Sequence, residues 1–239
     1  MNKIEKLKEI VESSNNIVFF GGAGVSTESG IPDFRSQDGL YNQKFSHPPE
    51  VMLSYSFFCA NPSEFYRFYR EKLVYFDAKP NSAHMALAKL ERNGKLKAII
   101  TQNIDGLHTA AGSQNVLELH GSAARNYCID CKEAHPAEFV LKNDDIPRCL
   151  CGSIVRPDVV LYEEGLDHEL LRKAVEFIAG AEMLIVGGTS LNVYPAAGLI
   201  TQYDGDRLVL INKTETTYDT QADLIIREPI GETLGRVNL

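Results

Sequence analysis

An apolar run that ends on glycines constrains this chain more than any other stretch. Residues 17–20, IVFF, pass without a polar interruption into GGAGVST at 21–27. Such a run reads as a strand buried on both faces, and the glycines permit a tight turn with a helix start expected after it. Upstream, Ile4, Leu7, Ile10 and Val11 recur at helical spacing. Downstream, LKAIIT (96–101), MLIVGG (183–188) and RLVLIN (207–212) read as further strands, with ADLIIRE (222–228) a weaker one. Helical patterns lie between them. Asn61 supplies an N-cap and Pro62 a first helical position ahead of Phe65, Phe68, Tyr69 and Leu73. A second helix is predicted from about Asn81 to a stop at Asn93 and Gly94, and Leu170, Leu171, Ala174, Val175 and Ile178 mark a third. Strands alternating with helices in this way predict an α/β fold with a Rossmann-like, doubly wound parallel sheet.

Polar and glycine residues collect where these strands end: TQNID after LKAII, GGTS after MLIV, NKT after RLVLI. Ligands of open α/β sheets bind at that carboxyl edge, although turns favour the same residue types on their own account. The first glycine loop departs from the hydride-transfer fingerprint. G-x-G-x-x-G requires glycine at 22, 24 and 27, and position 27 is Thr27. Gly22 and Gly24 still let backbone approach a diphosphate, with Ala23 and Thr27 lining it. The tail of the same stretch, IPDFRS, has no place in that fingerprint.

Charge and length narrow the partners. The chain carries a formal net charge of −8 over 239 residues, which disfavours a broad nucleic-acid or anionic-membrane surface and favours small molecules or basic protein segments. No stretch approaches a spanning helix, and the first residues lack a signal-peptide core, so a cytoplasmic protein is expected. In that compartment clustered cysteines hold metal or do redox chemistry. Cys128 and Cys131 form CIDC, and Cys149 and Cys151 form CLC after a gap of 17 residues. Four thiolates suit a closed tetrahedral Zn(II), which holds structure and leaves no position for water; a redox dithiol is the alternative. A zinc-ribbon nucleic-acid module is disfavoured, because residues 125–151 carry four basic against five acidic side chains. Cys59, in FFCAN, is expected to be a packed thiol. Among the six histidines, His120 ends NVLELHG just before the cysteine segment, at a junction where a cleft is expected, and is preferred over His108 for acid–base work.

Taken in order, GAGVSTESGIPDFRS, TQNIDGLH, LELHGS, the paired cysteines, VRPDVVLY, GGTSLNVYPAA and LVLIN resemble the motifs of the sirtuins, the NAD-dependent protein deacylases, in their bacterial protein-lysine deacetylase form. The resemblance implies a Rossmann-like NAD domain over 1–36, 77–121 and 155–239, and a smaller helical and zinc-binding module over 37–76 and 122–154. It implies that Gly22, Ala23, Gly24 and Thr27 approach the NAD diphosphate, and that Asp33, Phe34 and Arg35 cover the nicotinamide ribose. Gln102, Asn103, Ile104 and Asp105 would line the nicotinamide pocket. Asp105 would hold the carboxamide, and Asn103 would position ribose or water. His120 would be the general base. Gly188, Thr189, Ser190 and Asn212 would bind the adenosine half, with Ile230 behind the adenine. Val159, Val160 and Leu161 would form one edge, and Asn192, Val193 and Tyr194 the other, between which an extended acetyl-lysine peptide adds as a strand.

The implied reaction consumes NAD: the acetyl oxygen attacks the nicotinamide ribose, nicotinamide leaves, and the products are free lysine and O-acetyl-ADP-ribose. No direct nucleic-acid or membrane partner is implied, and a monomer is favoured. Two departures stand out. The family often has Phe-Gly-Glu after VRPDVV, whereas this chain has Leu161, Tyr162, Glu163 and Glu164, so a glutamate occupies the family's glycine position. Desuccinylating sirtuins commonly show a tyrosine and, three residues on, an arginine; here Tyr66 is followed at that spacing by Tyr69, with Arg70 one place late. Deacetylation is therefore expected over desuccinylation, with both tyrosines alternatively packing in the core. A mono-ADP-ribosyltransferase, a deacylase for longer chains and a non-catalytic NAD sensor are the rival functions.

Overall fold

The computed structural model describes residues 2–34, 39–42, 45–143 and 145–237. Among the described residues nine strands follow in chain order: β1 (Ile17–Gly21), β2 (Leu96–Thr101), β3 (Val116–Glu118), β4 (Gly121–Cys128), β5 (Ala134–Pro136), β6 (Val155–Val159), β7 (Met183–Gly187), β8 (Leu208–Ile211) and β9 (Leu224–Ile226). Six of them form one sheet in the order β3-β2-β1-β7-β8-β9, every neighbouring pair parallel. Counted within that sheet alone the order is 3-2-1-4-5-6, that of a doubly wound dinucleotide fold, and its direction of winding reverses between β1 and β7.

The apolar runs are continuous because both faces of this sheet are covered. Val18 and Phe20 of β1 enter one core, roofed by Ala174 and Ile178 of the helix His168–Ala179 and by Ala196 to Ile200 of a 3-10 segment. Ile17 and Phe19 enter the other, against Leu7 and Val11 of the helix Lys3–Ser13, Leu87 and Leu90 of the helix Ser82–Arg92, and Leu234 of the helix Ile230–Arg236. Asn2 closes a capping box with Glu5, and Asn81 closes another with His84. Asn61 is the N-cap of the helix Pro62–Lys72 as expected, with ψ 56°, but its side chain makes no capping bond.

The second sheet is antiparallel, in the order β5-β4-β6. It shares one core with the helices Tyr55–Ala60 and Pro62–Lys72: Phe57, Phe58, Phe65, Tyr66, Phe68 and Tyr69 pack with Cys128, Val140, Cys149, Val155 and Val159. Each fully buried aromatic there contributes about 1.5–3 kcal/mol of transfer free energy. Two segments far apart in the chain, one between β1 and β2 and one between β3 and β7, thus complete each other's core. β6, which opens the third stretch of the expected dinucleotide domain, pairs with β4 in this smaller sheet.

Candidate functional site

The site begins at the reversal between β1 and β7, where two glycine turns lie against each other. Gly24 N–H donates to the Gly188 carbonyl at 2.8 Å and Gly22 N–H to the Gly187 carbonyl at 3.3 Å. A methyl group on Gly24 would lie 2.8 Å from Gly188 Cα, and Gly188 itself has φ +59°, so neither position accepts a side chain. The backbones are left bare at the carboxyl edge of the sheet, the kind of cradle into which a diphosphate fits. The α-helix start expected after the glycines does not form. Two 3-10 turns, Ala23–Val25 and Thr27–Ser29, stand there, because Ile31 N–H bonds back to the Ser26 carbonyl and Pro32 has no N–H with which to extend a helix. The Gly22 and Gly24 amides are already bonded to the Gly187 and Gly188 carbonyls, so an anion at this turn finds neither those amides nor an α-helix terminus.

Beside the cradle, Ser26 gathers the polar residues that follow β2. This serine is only 1% exposed. Its hydroxyl donates to Asp105 Oδ2 at 2.7 Å and accepts from Asn103 Nδ2 at 3.1 Å. Asp105 Oδ1 accepts from Leu107 N–H at 2.9 Å and so starts the short helix Leu107–Ala110. Ser26 received no role from sequence, although it sits inside the glycine stretch, between Val25 and Thr27. Gln102 Nε2 donates to Thr189 Oγ1 at 3.3 Å, joining the ends of β2 and β7.

His120 lies at the same end, half-buried, with Nδ1 2.8 Å from the Gln102 carbonyl oxygen. A carbonyl only accepts, so Nδ1 carries the proton and Nε2 keeps its lone pair. Burial pushes the His120 pKa below the usual histidine value, the Gln102 bond opposing it, so the ring is neutral and basic near pH 7. His120 is followed at once by Gly121, where φ is +76° and a methyl group would lie 2.0 Å from the Asp158 carbonyl oxygen. Its own carbonyl accepts from Val160 N–H at 3.0 Å. The competing His108 is 2% exposed, with both ring nitrogens buried and, among the described residues, unpartnered. That burial leaves it no route to a substrate proton, and together with the neighbouring His84 it pushes the pKa down to about 3.

The remaining expected residues divide. Thr27 Oγ1 donates to the Gly24 carbonyl at 3.0 Å, Gly188 and Thr189 stand in the cradle, and Ser190 is half-buried next to them. Ile104 packs partly against the small lobe's core. Asp33 and Phe34 are half-buried and bond through their carbonyls to Leu40 and Tyr41; Arg35 lies outside the described residues. Asn212 follows β8 and donates to the Thr214 carbonyl at 3.0 Å. Ile230 is 3% exposed and belongs to the core under Gly187. Val159 and Leu161 are buried and Val160 partly so, whereas Asn192 and Tyr194 are exposed, Tyr194 by 69%.

The four cysteines converge. Cys128 and Cys151 Sγ are 3.4 Å apart, Cys131 and Cys149 Sγ 3.6 Å, and all four lie within 4.8 Å of one another. Tetrahedral zinc with bonds of about 2.3 Å requires sulfurs about 3.8 Å apart, so the donor set and spacing fit that ion. The fifth, Cys59, is exposed on the helix Tyr55–Ala60, not packed as expected, because Phe57 and Phe58 take that short helix's inward face.

The Sir2 family model matches residues 22–195. The chain belongs to the Sir2 family. It is 60% identical to an NAD-dependent protein deacetylase of Clostridium acetobutylicum over 99% of this chain and 98% of that one. Against the NAD-dependent protein deacetylase of Cutibacterium acnes it is 54% identical over 98% and 96%. A solved Sir2 variant bound to deacetylated p53 peptide and 3′-O-acetyl-ADP-ribose superposes with TM-score 0.90 at 40% identity, covering 99% of this chain and 97% of that one. The parallel sheet with its smaller four-cysteine module is the sirtuin fold. Among the described residues of this Sir2 chain, no helix is long and apolar enough to cross a membrane.

Both departures from the sirtuin pattern have structural accounts. Glu163 takes the left-handed conformation, φ +77°, that a glycine would adopt freely. Its carboxylate accepts from Ser56 N–H at 2.9 Å and Ser56 Oγ at 2.8 Å, so the strain of about 1–2 kcal/mol is offset by two bonds at the start of the helix Tyr55–Ala60. The next residue, Glu164, forms a two-armed pair with the buried Arg156 at 2.7 and 2.8 Å and accepts from Leu161 N–H at 2.8 Å. In the helical part, Tyr66 Oη donates to the Val155 carbonyl at 2.7 Å, Tyr69 is fully buried, and Arg70 Nε donates to the Val140 carbonyl at 2.9 Å. All three hold the small lobe together.

Proposed function

We propose that this Sir2-family chain removes acetyl groups from lysine side chains of proteins, with NAD consumed and nicotinamide, O-acetyl-ADP-ribose and the free lysine as products. The observation that carries this reading is His120, neutral, with Nδ1–H on the Gln102 carbonyl and its other nitrogen basic, beside a bare glycine cradle. The names of its full-length relatives support the same class. NAD, when bound, supplies the ADP-ribosyl group that receives the acetyl group. The chain's own residues would do the rest. Gly22, Ala23, Gly24, Thr27, Gly188, Thr189 and Ser190 would hold the diphosphate and adenosine, with Asn212 and Ile230 farther along the sheet edge. Asn103 and Asp105, oriented by Ser26, would bind on the nicotinamide side, between Gln102 and Ile104, with Asp33 and Phe34 facing them. His120 Nε2 would take a proton from a ribose hydroxyl. Val159, Val160 and Leu161 would pair with an extended peptide from one side, and Asn192, Val193 and Tyr194 from the other. Four thiolates would close the coordination of one zinc, which therefore stabilises structure alone; reduced thiols suit a cytoplasmic setting. Arg70, bonded to backbone inside the small lobe, is not available to an acyl carboxylate, which supports acetyl over succinyl.

Incubation with NAD and an acetyl-lysine peptide, followed by mass analysis, tests this. Nicotinamide and O-acetyl-ADP-ribose should appear only when the acetyl peptide is present. Release of nicotinamide without the peptide would instead mark an ADP-ribosyltransferase, and no release a protein that only binds NAD.

A further inference from the structure

Two segments on opposite sides of the site meet through a pair of hydroxyls. Tyr41 Oη and Tyr162 Oη lie 2.6 Å apart. Tyr41 belongs to the stretch that follows the glycine turns. Its N–H donates to the Phe34 carbonyl at 2.8 Å, and its ring meets the Phe34 ring edge-on at 5.7 Å between centroids. Leu40 N–H donates to the Asp33 carbonyl at 2.9 Å. Tyr162 belongs to the loop after β6 and is fixed from the other direction. Its N–H donates to the Leu53 carbonyl and its carbonyl accepts from Tyr55 N–H, both at 3.0 Å. The flanking Leu161 and Glu163 are tied to Glu164 and Ser56. Tyr162 is thus a rigid post, and Tyr41 the side chain that leans on it. Because Phe34 is bonded to Tyr41 through both backbone and ring, the position of Phe34 depends on that post. The family's phenylalanine at this place would supply the ring without the bond.

We propose that Tyr41 and Tyr162 are positioning residues that tie the Phe34 side of the cofactor pocket to the acyl-peptide loop. The identity of the two ligands rests on the deacetylase reading; the tie itself rests on the geometry. Either tyrosine changed to phenylalanine keeps the ring and removes the hydroxyl-to-hydroxyl bond, so the effect expected from the tie is that of one partly exposed hydrogen bond, about two- to five-fold.

The test compares the zinc-loaded wild type with Y41F, Y162F and the double variant. Without substrates, amide exchange at Leu40 and Tyr41 should quicken by about two- to five-fold in Y162F; unchanged exchange overturns the proposal. With saturating acetyl-lysine peptide, each single variant should raise the NAD KM by a similar factor, with kcat and Tm changing less. The double variant should be no worse than either single, since both remove the same bond. Additive effects, or an effect confined to the peptide KM, would show that the hydroxyls act separately and overturn it. A wild type without acetyl-dependent nicotinamide release would sink the deacetylase reading, while the exchange measurement would still decide the tie.

Discussion

Single side chains set the chemistry of this site through what they bond to. For His120 the Gln102 carbonyl selects the tautomer, and burial lowers the pKa. A base works only when unprotonated, so the acid limb of kcat/KM should have its midpoint below 6.5, the usual histidine value. A pH–rate profile with its acid limb above that value would remove His120 as the base. His120→Ala should lower kcat by roughly a hundred- to ten-thousand-fold at unchanged Tm, measured by nicotinamide release. Ser26→Ala strips one partner from Asn103 and one from Asp105 in a buried place, which should cost about 1–3 kcal/mol, seen as a raised NAD KM and a lower denaturation midpoint. None of these bonds spans fewer than 18 residues of chain, so none could be read from local pattern. Residue type and motif order pointed to His120, Asn103 and Asp105; the serine that joins two of them went unassigned.

Elements show the same division between pattern and contact. Periodicity was enough for the buried strands of the main sheet and its long helices, because both faces of β1, β2, β7 and β8 are covered; the runs of β1, β7 and β8 are unbroken, and that of β2 is interrupted only by the exposed Lys97. The three-residue strands β3 and β5 lack the length for any period, and the helix start after the glycines gave way to 3-10 turns through Pro32 and a bond from Ile31. The loop after β6 is built from strain and compensation. Glu163→Ala keeps the left-handed backbone and loses both bonds to Ser56, so it should destabilise by about 1–2 kcal/mol. Glu163→Gly relieves the strain as it loses the same bonds and should lie within about 1 kcal/mol of the wild type. Denaturant titration of the two variants would separate these effects, and equal losses would mean that the strain contributes nothing.

At the scale of the whole molecule, stability should depend on acid and on zinc. His84 and His108 face each other at 4.7 Å between ring centroids, and burial pushes their pKa values down to about 4 and about 3. Asp105 and Glu28 oppose the shift at His84, whereas His84 adds to it at His108. Both rings stay neutral in the fold while the unfolded chain takes up protons below pH 6.5. Stability is therefore whole above that pH and should fall as pH drops toward 4 and then 3, by on the order of a few kcal/mol. Thermal melts across this range check it, and a Tm flat from pH 7 to 4 would contradict it. Zinc removal acts through β4, which carries Cys128 at one end and begins at Gly121, next to His120. Chelation should release one zinc per chain, loosen the small lobe and lower activity together; a full Tm with no metal released would refute the structural ion.

By itself, the sequence determined the class of this protein: apolar runs dictate a sheet covered on both sides, paired cysteines favoured a metal ligand set over a redox dithiol, and ordered motifs identify the sirtuins. Those signals are short-range, carried by neighbours a few residues apart. Only the tertiary structure decided that Ser26 orients Asn103 and Asp105, that His108 is sealed away while His120 is not, that Tyr66 and Arg70 serve the small lobe, and that Glu163 holds a glycine's conformation. Each of these depends on a contact between segments distant in the chain, whose geometry exists only once the two sheets and their helices have closed on one another.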